Sequence, residues 1–173
     1  MIKKFLVFVL LFYVAMIATA QAKINIFAYS REAPDIAVYD SYGRAVRLKD
    51  FEGNFIIAVF WSKTCIPCLR EMRDLNAFSN KTKDNGIKVM LISSEKEWAT
   101  PFEQEEFLKK YGGDDLDYYV DRNSALGNEF GIFTSPHAVL INTQNMEIGR
   151  IRGAVDWDDS DVEEYIYKLK AQY

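Results

Sequence analysis

The chain has few of the residues that mark several common protein classes. Its 173 residues include four prolines, nine glycines, two cysteines and one histidine. These low counts exclude a collagen-like chain, a low-complexity chain and a scaffold held together by several disulfides. Hydrophobic residues make up 49% and charged residues 27% of the sequence, which is the composition of one globular domain.

Basic residues are also too few for a nucleic-acid-binding protein. The formal net charge is -4, and it becomes -6 when Lys3 and Lys4 near the N-terminus are left out. A negative protein surface repels phosphate backbones, and no basic stripe runs along the chain. We therefore predict that the protein has no nucleic-acid partner.

The first 22 residues are typical of an export signal. Two lysines precede an apolar run from Phe5 to Ala18, and Ala20-Gln21-Ala22 has the small-x-small pattern of a signal-peptidase site. The run is shorter than the ~20 residues that cross a bilayer, which favours a cleaved signal peptide over a retained membrane anchor. Both outcomes place a single domain, residues 23–173, in the periplasm or another extracytoplasmic space. Membrane contact is then expected only through residues 1–22.

The hydrophobic pattern predicts an α/β domain. The apolar run Phe55–Trp61 predicts a buried strand, an amphipathic helix follows from Pro67 to a stop at Asn85-Gly86, and Ile87–Ile92 predicts a parallel partner strand. Other predicted elements are a hairpin (Ile36–Tyr39 with Val46–Leu48), helices capped at Thr100 and Ser160, a short helix (Asn123–Phe130), a strand near Tyr118–Val120 and an antiparallel pair (Ala138–Ile141 with Glu147–Arg152). Together they predict a central mixed sheet with helices on both faces and an N-terminal β-hairpin extension.

The two cysteines stand where the buried strand meets the following helix, in the motif Cys65-Ile66-Pro67-Cys68. A disulfide across so short a loop contributes only ~2 kcal/mol to stability, so a purely structural bridge is poorly placed here. Free N–H groups and the dipole at a helix N-terminus stabilise a thiolate, which is the nucleophile of thiol–disulfide exchange. We predict that Cys65 attacks or receives a substrate disulfide and that Cys68, one turn later and more buried, resolves it. No dissociable cofactor is required beyond this redox-active disulfide.

At these residues the sequence resembles the TlpA/ResA-type thioredoxin-like proteins. The likeness lies in Ala33-Pro34-Asp35, Leu48–Gly53, Val59–Glu71 and Ser135–Ile141, in matching order across roughly residues 33–170. It implies a thioredoxin fold and a periplasmic thiol–disulfide oxidoreductase that acts on protein thiols and disulfides. Such proteins are usually reductants recharged by a membrane electron donor, and apocytochrome c maturation is a narrower role of this kind.

The resemblance also implies a docking site beside the cysteines. Pro136 matches a cis-proline that faces the redox pair in that family. A cis bond there turns the backbone of Ser135 toward the cysteines, where it can pair with an extended substrate segment. Relatives commonly carry tryptophan immediately before the first cysteine, where this chain has Thr64, so its substrate preference is expected to differ.

Glu71 coincides with a glutamate that several relatives use near the active site. If the pKa of this carboxylate is raised, it can take the proton from Cys68 as the thiol becomes the attacking thiolate. The alternative is a solvated helix glutamate beside Arg70 and Arg73. Lys63, near Cys65, would favour its thiolate, with a solvent-facing lysine as the alternative, and Trp61 is expected to pack in the core.

Two other functions stay open from the sequence. Cys65, Cys68 and His137 together could hold a copper ion, as thioredoxin-fold copper chaperones do, although those proteins have a wider cysteine spacing. A structural zinc site needs four protein ligands, and these candidates stop at three. In the second alternative the disulfide only braces a docking surface for a partner. Peroxidase chemistry is not indicated, because no peroxidatic-cysteine motif of the peroxiredoxin type is present.

Overall fold

The computed structural model describes residues 22–173. The predicted leader lies outside the described residues apart from Ala22. In chain order the strands are β1 (Lys23–Glu32), β2 (Val38–Tyr39), β3 (Ala45–Val46), β4 (Phe55–Phe60), β5 (Ile87–Ser94), β6 (Tyr118–Asp121), β7 (His137–Ile141) and β8 (Met146–Arg152). The helices are α1 (Ile66–Thr82), α2 (Pro101–Tyr111), α3 (Ala125–Phe130) and α4 (Ser160–Gln172). Within residues 22–173, no helix is long and apolar enough to cross a bilayer.

All eight strands belong to one mixed sheet with the order β1-β8-β7-β4-β5-β6-β2-β3. The strands β4, β5 and β6 run parallel, while β7, β8 and β1 continue the sheet on one side as antiparallel neighbours. The β2–β3 hairpin adds to the other side through β6. Every residue of β4 is buried, because this central strand is covered on both faces.

Alternate side chains of β4 point into two separate cores. The core on one face is closed by α1, α2 and α4, with Met72, Leu75, Leu108, Ile166 and Leu169 packed against the sheet. The core on the other face is closed by α3 and the 3-10 helix Leu48–Phe51. This arrangement confirms the thioredoxin fold with helices on both faces that the sequence predicts.

Two details differ from the sequence prediction. The edge strand β1 was not predicted, because most of its side chains are exposed and leave no alternating apolar pattern to detect. The cap of α4 is Asp159 rather than Ser160, since the carboxylate of Asp159 accepts the Asp161 N–H at 2.8 Å. A carboxylate one residue earlier satisfies the same free N–H groups, so the helix itself begins where it was expected.

Candidate active site

Cys65 and Cys68 lie at the carboxyl end of the parallel strands, just beyond β4. Cys65 is the N-cap of α1 and has extended backbone, so its side chain leaves the helix axis and its Sγ accepts the Cys68 N–H at 3.3 Å. The two residues form a disulfide, with Cα atoms 5.3 Å apart. Cys65 is half-buried, whereas Cys68 is only 1% exposed. An incoming nucleophile or disulfide therefore reaches Cys65 first.

The first turn of α1 favours a negative charge on Cys65 when the pair is reduced. The helix is 17 residues long and has no acidic residue in this turn. Its unpaired N–H groups and its dipole therefore present partial positive charge to the sulfur. Pro67 lies within the turn, where its missing N–H removes no helical hydrogen bond. A lowered thiol pKa at such a position is the physical basis of a reactive cysteine.

Glu71 lies one turn beyond Cys68 on α1 and is buried. Its side chain is 7% exposed, and its Oε2 accepts the Val155 N–H at 2.7 Å. Burial raises the pKa of Glu71 to about 7, against the opposing effect of that hydrogen bond. The solvated alternative beside Arg70 and Arg73 is therefore wrong, because the carboxyl group is enclosed between α1 and the segment after β8.

A groove next to Glu71 connects this carboxyl group with the surface. Its volume is about 410 Å³, and Pro67, Arg70, Glu71, Asp74 and residues 154–156 line it. Pro67 is part of the redox motif, so the groove begins beside the cysteines. A proton taken up by Glu71 thus has a short route to solvent.

The Ser135–Pro136 loop faces a second groove, which lies toward β5 and α3. The peptide bond between Ser135 and Pro136 is cis, and the Pro136 carbonyl accepts the Gly153 N–H at 3.0 Å. The groove has a volume of about 200 Å³ and is lined on one side by Trp61 and Ser62 and on the other by residues 132–135. It therefore runs between the loop that leads to Cys65 and the loop that contains the proline.

Phe133 is a site residue that sequence reasoning missed. Its side chain is 85% exposed, which is unusual for phenylalanine, and it lines the same groove. The only signal for it in the sequence is its position as an aromatic residue shortly before the proline motif. Phe133 provides an aromatic surface on the proline side of the groove.

Lys63 and Trp61 have structural contacts of their own. The Lys63 Nζ pairs with Glu103 Oε1 at 3.1 Å, so its charge is compensated rather than offered to the sulfur. The prediction that Lys63 assists the thiolate is therefore not supported. Trp61 is buried and its ring centroid lies 5.7 Å from that of Trp98, which confirms its packing role.

His137 is not brought together with the cysteines. It pairs with Phe60 across the sheet, so its side chain lies on the face covered by α3, whereas α1 and Cys68 pack on the other face. The side chain is 4% exposed, and burial together with Arg150 and Arg152 lowers the pKa of His137 to about 4. Residues 22–173 contain no cluster of three metal-ligating side chains. The copper alternative consequently lacks its third ligand.

A thioredoxin-fold domain with a C-x-x-C pair at the N-terminus of the helix after the first central strand has the architecture of thiol–disulfide exchange proteins. The chain belongs to the AhpC/TSA family, whose model matches residues 29–151. Similar curated proteins include the thiol-disulfide oxidoreductase ResA of Bacillus thuringiensis subsp. konkukian, 29% identical over 141 residues that cover 80% of this chain and 77% of the relative. ResA of Geobacillus thermodenitrificans is 24% identical over 143 residues, covering 83% and 79%.

Solved structures show the same fold. A thiol:disulfide interchange protein from Bacteroides sp. has a TM-score of 0.65 at 22% identity, with 84% of this chain and 91% of that chain covered. A secreted Mycobacterium tuberculosis disulfide oxidoreductase homologous to E. coli DsbE has a TM-score of 0.63 at 13% identity, covering 78% and 96%. These structures show the thioredoxin fold, and the family match together with the curated relatives confirms the resemblance to ResA-type proteins.

Proposed function

We propose that this protein is an exported thiol–disulfide oxidoreductase that reduces protein disulfides through Cys65 and Cys68. The observation that carries the proposal is the half-buried Cys65 sulfur at the N-terminus of α1, bonded to the buried Cys68 behind it. This arrangement gives the two sulfurs unequal access and unequal electrostatic surroundings. The names of the ResA relatives support thiol–disulfide oxidoreductase chemistry.

In the reducing direction, the Cys65 thiolate attacks one sulfur of a substrate disulfide. A mixed disulfide forms, and the other substrate sulfur leaves as a thiolate. Glu71 then takes the proton of the Cys68 thiol, and the Cys68 thiolate attacks the Cys65 sulfur. The Cys65–Cys68 disulfide forms and the second substrate sulfur leaves, so two electrons have passed from the pair to the substrate. A pKa of about 7 suits Glu71 to this task at neutral pH.

Substrate docking is assigned to the groove between the two loops. An extended segment pairs with the backbone at Ser135, while Phe133 contacts an apolar side chain beside the substrate cysteine. After each turnover a dithiol donor must reduce the Cys65–Cys68 pair again. We assign this step to a membrane electron donor, with the protein in the periplasm or another extracytoplasmic space. Apocytochrome c maturation is the narrower role that the resemblance to TlpA/ResA-type proteins implies.

Reduction of insulin disulfides by the purified protein tests this proposal. Cys65→Ser should abolish the activity, because no nucleophile is left to form the mixed disulfide. Cys68→Ser should instead accumulate a covalent complex with the substrate at Cys65. An undiminished rate in Cys65→Ser would refute the proposal. Partner binding that survives the loss of both cysteines, without reductase activity, would favour the docking module instead.

The reduction potential of the Cys65–Cys68 pair tests the direction of electron flow. A value near or below the roughly -270 mV of thioredoxin supports a reductant. A value near the roughly -120 mV of the strong periplasmic oxidants would contradict this direction.

A further inference from the structure

The three residues before Cys65 form a loop, Ser62–Thr64, that is anchored to the segment between β5 and α2 and to the first turn of α2. The Lys63 N–H donates to Glu97 Oε2 at 2.6 Å. The Lys63 Nζ reaches Glu103 Oε1, as described above, and lies 5.0 Å from the ring centroid of Trp98. Within the loop, the Cys65 N–H donates to the Ser62 carbonyl at 3.0 Å. Glu97 therefore holds the backbone that leads to the nucleophile, and Glu103 holds the side chain of the same lysine.

The two carboxylates differ in how their charge is balanced. Glu103 pairs with the Lys63 ammonium and also accepts the Ala99 N–H at 2.8 Å. These contacts hold the pKa of Glu103 below its usual range. Glu97 binds only the neutral backbone of Lys63 and forms no ion pair with any of the described residues. Its negative charge therefore lies next to the Cys65 loop with no cation of the described residues at ion-pair distance.

We propose that Glu97 is a positioning residue of the exchange reaction, which orients the Ser62–Thr64 loop and makes the Cys65–Cys68 pair more reducing. The inference rests on the proposed function. A nearby negative charge disfavours the Cys65 thiolate, which exists only in the reduced protein. The reduced form is thereby destabilised and the pair gives up its electrons more readily.

Chain geometry limits the distance between the Glu97 carboxylate and the Cys65 sulfur. Glu97 contacts the backbone two residues before Cys65, and two residues of chain span at most about 7 Å. With the hydrogen bond and the Cys65 side chain added, the carboxylate lies within about 12 Å of the sulfur; a unit charge at about 9 Å, at an effective dielectric constant of about 40, changes the ionisation equilibrium about fivefold. A fivefold change in the equilibrium between dithiol and disulfide corresponds to ~20 mV.

Glu97→Gln separates the charge of this side chain from its hydrogen bond. The glutamine carbonyl still accepts the Lys63 N–H, so the loop stays anchored. The acid dissociation constant of the Cys65 thiol should rise about fivefold, measured from the pH dependence of alkylation by iodoacetamide in the reduced protein. The reduction potential, measured against glutathione above the pKa of Cys65, should become more positive. Glu97→Asp keeps the charge and should leave the acid dissociation constant of the Cys65 thiol at its wild-type value.

Glu106→Gln is the matched control, because Glu106 is exposed on α2 and pairs only with Lys109 among the described residues. It should leave both quantities within twofold of the wild-type values. The proposal is overturned if Glu97→Gln changes the dissociation constant less than twofold or lowers it, or if Glu106→Gln changes it equally. Absence of insulin reduction by the wild-type protein would refute the proposed function, while the ionisation of Cys65 still tests Glu97 independently.

Discussion

Replacing Glu71 by glutamine should make the oxidised protein more stable, and the gain should depend on pH. Glutamine has nearly the same shape, and its side-chain carbonyl can accept the Val155 N–H that now binds Oε2. What the substitution removes is the ability to ionise. Any pH-dependent difference between the two proteins therefore reports the free energy of ionising this buried carboxyl group.

The direction follows from the pKa in the two states. Burial raises the pKa of Glu71 from 4.5 to about 7 in the folded protein. Below pH 4.5 the carboxyl is protonated in both states and the variant gains nothing. Between pH 4.5 and 7 only the unfolded chain releases the proton, so the wild-type protein loses about 1.4 kcal/mol of stability per pH unit. Above pH 7 the loss levels off at about 3 kcal/mol, because both states are then ionised.

Urea unfolding of the oxidised proteins at pH 4.5, 6 and 8 measures this difference. The advantage of Glu71→Gln in the free energy of unfolding should grow from near zero to about 3 kcal/mol across the series. Asp74→Asn is the control, because Asp74 lines the same groove but is less enclosed. An advantage that stays constant from pH 4.5 to 8 would refute the assignment of a raised pKa to Glu71. The same variant should slow the resolving step, since it removes the proton acceptor for Cys68.

Two further substitutions test the docking groove and the sheet edge. Phe133→Ala should lower kcat/KM for polypeptide disulfides about tenfold through lost apolar contact, yet leave the reaction with small disulfides unchanged. Phe102→Ala, at a 68% exposed phenylalanine outside the groove, should change neither rate, and an equal loss there would contradict the docking role. Gly149→Ala places a Cβ 2.7 Å from the Asn25 carbonyl oxygen, so β1 must shift. Chemical denaturation should show a loss of about 1–3 kcal/mol in the free energy of unfolding. An unchanged value would show that β1 shifts to accommodate the Cβ without loss of stability.

The central part of the fold was predictable because its sequence pattern is forced by burial. β4 is covered on both faces and must be apolar throughout, while α1 is covered on one face and repeats its apolar residues every third or fourth position. The edge strand β1 is under neither constraint. Its pairing depends on the neighbouring strand β8, which contributes Gly149 at the closest approach. A single sequence does not reveal such a contact between distant segments.

In the candidate site, too, some residues are predictable from a local pattern and others depend on contacts with distant segments. Cys65 and Cys68 were predictable because the reaction needs both sulfurs within one helical turn. The burial of Glu71 was not, because it depends on the segment around Val155, 84 residues further along the chain. His137 was misplaced by its nearness to Pro136 in sequence. Alternation along β7 instead sends its side chain to the opposite face of the sheet.

The chemistry of Cys65 thus depends on two opposing electrostatic effects with separate structural origins. The N-terminus of α1 stabilises the thiolate, which supplies a nucleophile and at the same time makes the pair more oxidising. Glu97 makes the pair more reducing again through its contact with the loop before Cys65, and it does not cover the half-buried sulfur. Because the helix dipole is a property of the fold and Glu97 is a single side chain, substitutions at Glu97 should adjust the reduction potential while the order of attack, Cys65 before Cys68, is preserved.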